Sequence, residues 1–133
     1  MMNLQPPGWA KPKGYSNGIA VKGGTTVFVA GQVAFNSKGV IEQESFAAQF
    51  RQTLKNTLAV LAEAGGKPEH IVRMTWYILD KKEYLGAISE VGAAYRELIG
   101  RHYPAMAVVQ VSGLIEDQAR LEIETTAVIP EAA

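Results

Sequence analysis

The chain has 133 residues, with 13 Lys+Arg against 13 Asp+Glu, and 47% of them are hydrophobic. That length and apolar share suit one folded domain spanning residues 1–133 and exclude wholesale disorder, and the zero net charge leaves no electrostatic footprint for nucleic acid or an anionic membrane. The absence of cysteine excludes a disulfide scaffold and a thiolate nucleophile, and two histidines are too few for a histidine-rich metal site, so no metal is expected.

Residues 1–14 contain Pro6, Pro7, Gly8, Pro12 and Gly14 and read as an irregular arm lying on the domain. They lack the basic segment and apolar run of a signal peptide, and no apolar stretch approaches a membrane span, so the expectation is a cytoplasmic protein without a membrane partner. Gly18 to Lys22 and Thr25 to Gly31 flank Gly23-Gly24, a pattern that predicts a hairpin. Asn36-Ser37-Lys38-Gly39 is a further turn signal. From Ser45 to Ala64, Phe46, Phe50, Leu54, Leu58 and Leu61 recur at helical spacing, and Gly65-Gly66 follows as a C-terminal cap.

Ile71 to Leu79 is β-branched and aromatic and predicts a long strand. Asp80, with Glu83 three residues on, resembles a capping box for a second helix running to about Ile99. Its stripe is Tyr84, Ile88, Val91, Tyr95 and Leu98, and Gly100 is its stop. Ala105 to Val111 predicts a strand, Ser112 to Gln118 a connection and Ala119 to Ile129 the last strand. The order β-β-α-β-α-β-β predicts an α+β domain, a mixed sheet with two helices on one face, whose β-α-β units each favour a parallel crossover.

Strand parity implies a second covered surface. Val27 and Val29 alternate with Phe28 and Ala30; Met74, Trp76 and Ile78 with Thr75, Tyr77 and Leu79; Met106 and Val108 with Ala107, Val109 and Val111. Both faces of these strands are largely apolar, the pattern of a sheet covered on both sides. Two helices cover only one side, so a homo-oligomer with sheets packed inward is the expected cover for the other.

Few residues form a chemical constellation. The sequence has no phosphate-binding loop and no GxSxG nucleophile elbow, and His70 and His102 read as solvated loop residues. Glu122 and Glu124 share one face of the last strand, with Leu121 and Ile123 on the other. On an edge strand such a pair is an ordinary solvated stripe. Against a partner-covered sheet, one of them becomes a candidate general base or water-orienting group.

Several segments, in order, resemble the RidA (YjgF) family of imine and enamine deaminases. They are Val29-Ala30-Gly31-Gln32-Val33, Gln52-Thr53-Leu54-Lys55-Asn56, Ala64-Gly65-Gly66, Tyr103-Pro104-Ala105 and Leu121-Glu122-Ile123-Glu124. The resemblance implies a chorismate-mutase-like fold, a homotrimer with sheets inside, and a cofactor-free site in each cleft between subunits. There, imines such as 2-iminopropionate are hydrolysed to a keto acid and ammonia. Glu122 matches the family's water-handling glutamate, Tyr15 its tyrosine before the first strand and Gly31 its strand-end glycine.

Other positions depart from the pattern. Met106 stands where the family's carboxylate-holding arginine follows Pro-Ala, Val108 where a small polar residue or cysteine stands, and Ala30 where serine does. Ile88 or Ser89 falls at the helix asparagine. The substrate-binding set is therefore Tyr15, Ala30, Gly31, Ile88, Met106 and Val108, with Glu122 catalytic. An arginine contributes a fixed cation and a fork of donors, so its replacement by Met106 makes the pocket more apolar. By sequence Arg101 is the nearest substitute cation, though its simplest reading is a solvated loop residue. These features imply a hydrolase acting on a small-molecule imine larger or less anionic than 2-iminopropionate. A non-catalytic trimer that binds a small molecule or a protein in the same cleft is the alternative. An endoribonuclease or translation inhibitor comes last, because neutrality disfavours a phosphate-binding surface.

Overall fold

In the computed structural model, which describes residues 1–132, the apolar stripe beginning at Phe46 becomes helix α1 (Phe46–Glu63), with Phe46, Phe50, Leu54 and Leu61 buried. Ser45 caps it, its hydroxyl accepting the Ala48 N–H at 3.2 Å. At the other end Gly65 takes the left-handed conformation (φ 81°) and the Gly66 N–H donates to the Leu61 carbonyl at 3.1 Å, closing the helix as glycine allows. Because that hydroxyl satisfies an otherwise unpaired amide, Ser45→Ala is expected to cost about 1 kcal/mol and Ser45→Gly only a few tenths. Thermal denaturation of the two variants beside wild type checks this.

The strands are β1 (Met2–Asn3), β2 (Ile19–Ala20), β3 (Thr25–Gln32), β4 (Ile71–Ile78), β5 (Ala105–Gln110) and β6 (Leu121–Ile129). Four of them form a mixed sheet in the order β3-β6-β4-β5. β6 is antiparallel to both β3 and β4, and β4 and β5 are parallel. One expected β-α-β unit thus joins neighbouring strands, whereas β6 lies between β3 and β4. The last strand is therefore central, and its alternation of buried and less buried residues follows from side chains pointing in turn to the helix-covered face and to the open one.

Several local expectations are corrected. Ile19–Ala20 does not form a hairpin with β3; it pairs antiparallel with Met2–Asn3, so the arm is not wholly irregular. Gly23 and Gly24 do take positive φ angles, but a Cβ on Gly24 would lie 2.4 Å from the Ile129 carbonyl oxygen. The second glycine lets the start of β3 lie close against the end of β6. The second helix is also two helices, α2 (Lys81–Gly86) and α3 (Ile88–Leu98), broken at Ala87 (φ −104°, ψ 9°). Gly86, a weak helix former, precedes the break. Asp80 caps α2 through the Lys82 and Glu83 amides, whereas the Glu83 carboxylate pairs with Arg120 at 2.7 Å instead of closing the capping box.

The helices pack on one face of the sheet, where Val29, Met74, Trp76, Ile78, Leu121 and Ile123 join the α1 and α3 side chains in one core. Asn56 of α1 donates to the Val33 and Phe35 carbonyls at 2.9 and 2.8 Å, anchoring the chain just beyond β3. The opposite face is open: Phe28 is 79% and Val109 39% exposed. Among the described residues no helix is long and apolar enough to cross a membrane.

Candidate functional site

Pro104, fully buried, immediately precedes the edge strand β5, and the segment before β2 docks beside it. The Ser16 N–H donates to the Pro104 carbonyl at 3.0 Å, and the Ser16 hydroxyl donates to the Tyr103 carbonyl at 2.5 Å. This clamp holds Tyr15 next to Met106. In the parallel register Met74 pairs with Met106 and Trp76 with Val108, so Met106 and Val108 share the helix-side face with those two core residues. As edge residues they are only half-buried. Together with Tyr15 and Ile88 they line a cavity of about 520 Å³. The break at Ala87 explains Ile88: the stripe placed it in the core, yet it is 46% exposed and faces this cavity.

The walls are aromatic and mutually braced. Tyr95 stacks on Tyr103 with centroids 5.6 Å apart, and Trp76 meets Tyr84 edge-on at 6.4 Å. The Tyr95 hydroxyl donates to the His102 carbonyl at 2.6 Å. Burial pushes the Tyr95 hydroxyl well above the ordinary phenol range, with Tyr103 adding to the shift, and burial raises Tyr84 too. Both stay protonated donors around neutral pH. His102 is not the solvated residue expected: it is half-buried, and its Nε2 lies 2.6 Å from the Ile71 carbonyl, so that nitrogen is the protonated donor. His70 is likewise half-buried, its Nδ1 accepting the Lys67 N–H at 2.9 Å.

The remaining candidates lie elsewhere. Between Val29 and Gln32 the β3–β6 register shifts, a bulge that places Gly31 beside Glu122. A Cβ on Gly31 would lie 2.3 Å from Glu122 Oε2, so the carboxylate occupies space that only glycine leaves open. Bulges commonly re-aim side chains in this way. Glu122 makes no ion pair among the described residues. Glu124 is engaged: the Tyr77 hydroxyl donates to its Oε1 at 2.7 Å. That bond, aided by partial desolvation and the two carboxylate charges, raises the Tyr77 pKa against a small opposing effect of Arg73. Ala30 points to the open face, in a hollow with Phe28, Arg73 and Thr75.

The family model described as endoribonuclease L-PSP matches residues 9–129. The chain belongs to this family, the RidA (YjgF) proteins. It is 34% identical over 109 residues to a RutC family protein of Pyrococcus horikoshii, an alignment covering 81% of this chain and 82% of that protein. It is 32% identical over 108 residues to the 2-iminobutanoate/2-iminopropanoate deaminase of Salmonella typhimurium, covering 79% and 80%. Among solved structures, a Rid-family protein of unknown function from Yersinia pestis superposes with a TM-score of 0.81 at 32% identity, covering 96% of this chain and 100% of that one.

In this RidA-family chain the predicted residues thus gather in two groups. Tyr15, Ile88, Met106 and Val108 share the cavity at the β5 edge. Glu122 and Gly31 meet where β6 joins the β3 edge, with Ala30 beside them. At about 4.8 Å per strand, the sheet order separates β5 from β6 by about 10 Å and from β3 by about 14 Å, and Glu122 lies on the face opposite buried Leu121 and Ile123, away from the helix side that Met106 and Val108 share. A single chain therefore does not close both groups around one small molecule. Sequence reasoning also missed the cavity's cations. Arg101 lies in a different hollow with Met1 and His102, whereas Lys13 and Arg96 line the cavity. The signal was present in α3, where Arg96 falls one turn after Val91 and Gly92.

Proposed function

We propose that this protein is a RidA-like hydrolase that deaminates a reactive imine or enamine in clefts between the subunits of a homotrimer, on substrates other than 2-iminopropionate. The observation that carries this reading is the splitting of the candidate residues between the β3–β6 junction and the β5 edge, with an unpaired carboxylate held over a glycine at one and a cavity at the other. In a ring of copies, the β5 edge of one subunit meets the β3 edge of the next, bringing Met106 and Tyr15 opposite Glu122 and Gly31. The resemblance to a 2-iminobutanoate/2-iminopropanoate deaminase supplies the reaction class.

The chemistry then needs few parts. Glu122 takes a proton from water as the oxygen attacks the imine carbon and returns it to the nitrogen, then passes the remaining hydroxyl proton to the amine in the same way. The tetrahedral carbinolamine collapses to a carbonyl, the C–N bond breaks and ammonia leaves, so that imine and water give keto acid and ammonia. Backbone groups at Gly31 and the Tyr15 hydroxyl orient the substrate. General base catalysis of this kind contributes about 10²–10⁴-fold. Imines of several sizes, generated in situ from amino acids by an oxidase, test the reading through accelerated ammonia release. No acceleration across the panel overturns it in favour of a non-catalytic binding protein.

The exposed sheet face is the expected subunit contact. Phe28, at 79% exposure, is its largest apolar group, and a charge there would be buried without a partner in the trimer. Light scattering should give a trimer mass for wild type and a monomer mass for Phe28→Asp. A wild-type monomer at micromolar concentration would contradict the cleft.

A further inference from the structure

We propose that Arg96, seconded by Lys13, is the carboxylate-holding cation of this cavity, and that its substrate is the imine of an amino acid with a bulky apolar or aromatic side chain. This rests on the reaction proposed above for its imine chemistry, but not for its anion binding. Met106 brings no charge to the cavity, and among the lining residues only Lys13 and Arg96 are cationic. Arg96 makes no ion pair among the described residues, whereas Arg51 is paired with Glu97 and Arg120 with Glu83. An unpaired guanidinium facing a cavity is open to an incoming carboxylate, which it holds through two parallel hydrogen bonds.

Gly92 explains how the guanidinium is placed there. It lies inside α3 without a positive φ, so the backbone does not require glycine, and glycine weakens a helix interior relative to alanine. Its small size has a use: a Cβ at that position would stand 3.2 Å from Arg96 Nη1. With residues four apart on one helix face, the bare Gly92 lets the Arg96 side chain fold back over the helix.

The walls point to the rest of the ligand. The Tyr95–Tyr103 stack, Trp76, Ile88 and Val108 form an apolar and aromatic lining for about 520 Å³. A pyruvate-sized imine would fill a small part of that space and leave the walls wet. A phenyl or branched side chain removes them from water and packs edge-on or offset against the rings.

The stable keto acids corresponding to the products serve as probes. Isothermal titration calorimetry should show phenylpyruvate binding at least about tenfold more tightly than pyruvate. Arg96→Met should weaken phenylpyruvate about tenfold to a hundredfold, Arg96→Lys should restore part of the loss, and the neutral phenylpyruvamide should bind wild type and Arg96→Met alike. Equal affinity of wild type and Arg96→Met for phenylpyruvate, pyruvate binding as tightly as phenylpyruvate, or no phenylpyruvate binding at millimolar concentration overturns the proposal. Circular dichroism confirms that the Arg96 variants, changed at an exposed position, stay folded. Arg96-dependent binding with no imine turned over would overturn the reaction but leave this site standing. Turnover with kcat/KM indifferent to Arg96→Met would do the reverse.

Discussion

Glu122→Gln is expected to lower imine hydrolysis by about two to four orders of magnitude without lowering the melting temperature or the subunit mass. The substitution keeps the shape of the side chain and removes the negative charge and the proton-accepting oxygen. Glu122 bonds to no structural ion-pair partner among the described residues, so its loss leaves no buried charge unpaired. The neighbouring carboxylate gives the control. Glu124 is tied to the Tyr77 hydroxyl, and Glu124→Gln keeps an acceptor for that bond, so its turnover should fall far less. Gly31→Ala tests position as opposed to charge: its Cβ would enter within 2.3 Å of Glu122 Oε2, and displacing the carboxylate by an ångström is enough for losses of about a hundredfold. Turnover of the panel by ammonia release, with equal rates for wild type and Glu122→Gln, would remove Glu122 from the mechanism.

Met106→Arg should redirect the proposed activity. A new guanidinium at the β5 edge adds a charged hydrogen bond of about 1.5–3 kcal/mol to a small carboxylate, so kcat/KM for 2-iminopropionate should rise about tenfold to a hundredfold. The same change places a third cation in the cavity beside Lys13 and Arg96 and fills apolar space, so bulky imines should react more slowly. Met106 also packs against the main core, and its replacement should lower stability by about 1 kcal/mol. Steady-state kinetics on a small and a bulky imine decide the matter, the crossing of the two preferences being the signature. A variant that keeps the trimer mass and gains nothing on 2-iminopropionate would show that Ala30, Ile88 and Val108 shape the pocket as strongly as the missing cation does.

Much of this was legible in the order of residues. The α1 stripe and its glycine stop are readable because a helix repeats every 3.6 residues and ends on local chemistry. The parity of β4 and β6, with Met74, Trp76, Leu121 and Ile123 inward, is equally local, because side chains alternate along any strand. The ordered segments ending in Leu121-Glu122-Ile123-Glu124 pointed to the RidA family, to which the chain belongs. Reading β2 and β3 as a hairpin failed because the partner of Ile19–Ala20 came from the arm, a pairing set by docking and not by the Gly-Gly turn.

What the sequence determined by itself is the set of local periods, the neutral balance of charge and, through the family resemblance, the expectation that Met106 stands at an arginine's position. What only the tertiary structure decided is proximity. Glu122 differs from Glu124 because a bulge and a glycine lie beside one and a tyrosine hydroxyl beside the other. Arg96, and not Arg101, faces the cavity because α3 breaks from α2 at Ala87 and Gly92 leaves room for the side chain to fold back. The two groups of candidate residues stand apart, one at the β3–β6 junction and one at the β5 edge, because β6, last in the chain, inserts between β3 and β4. Each of these depends on long-range pairing, whose register is set by burial across the whole sheet and not by any local repeat.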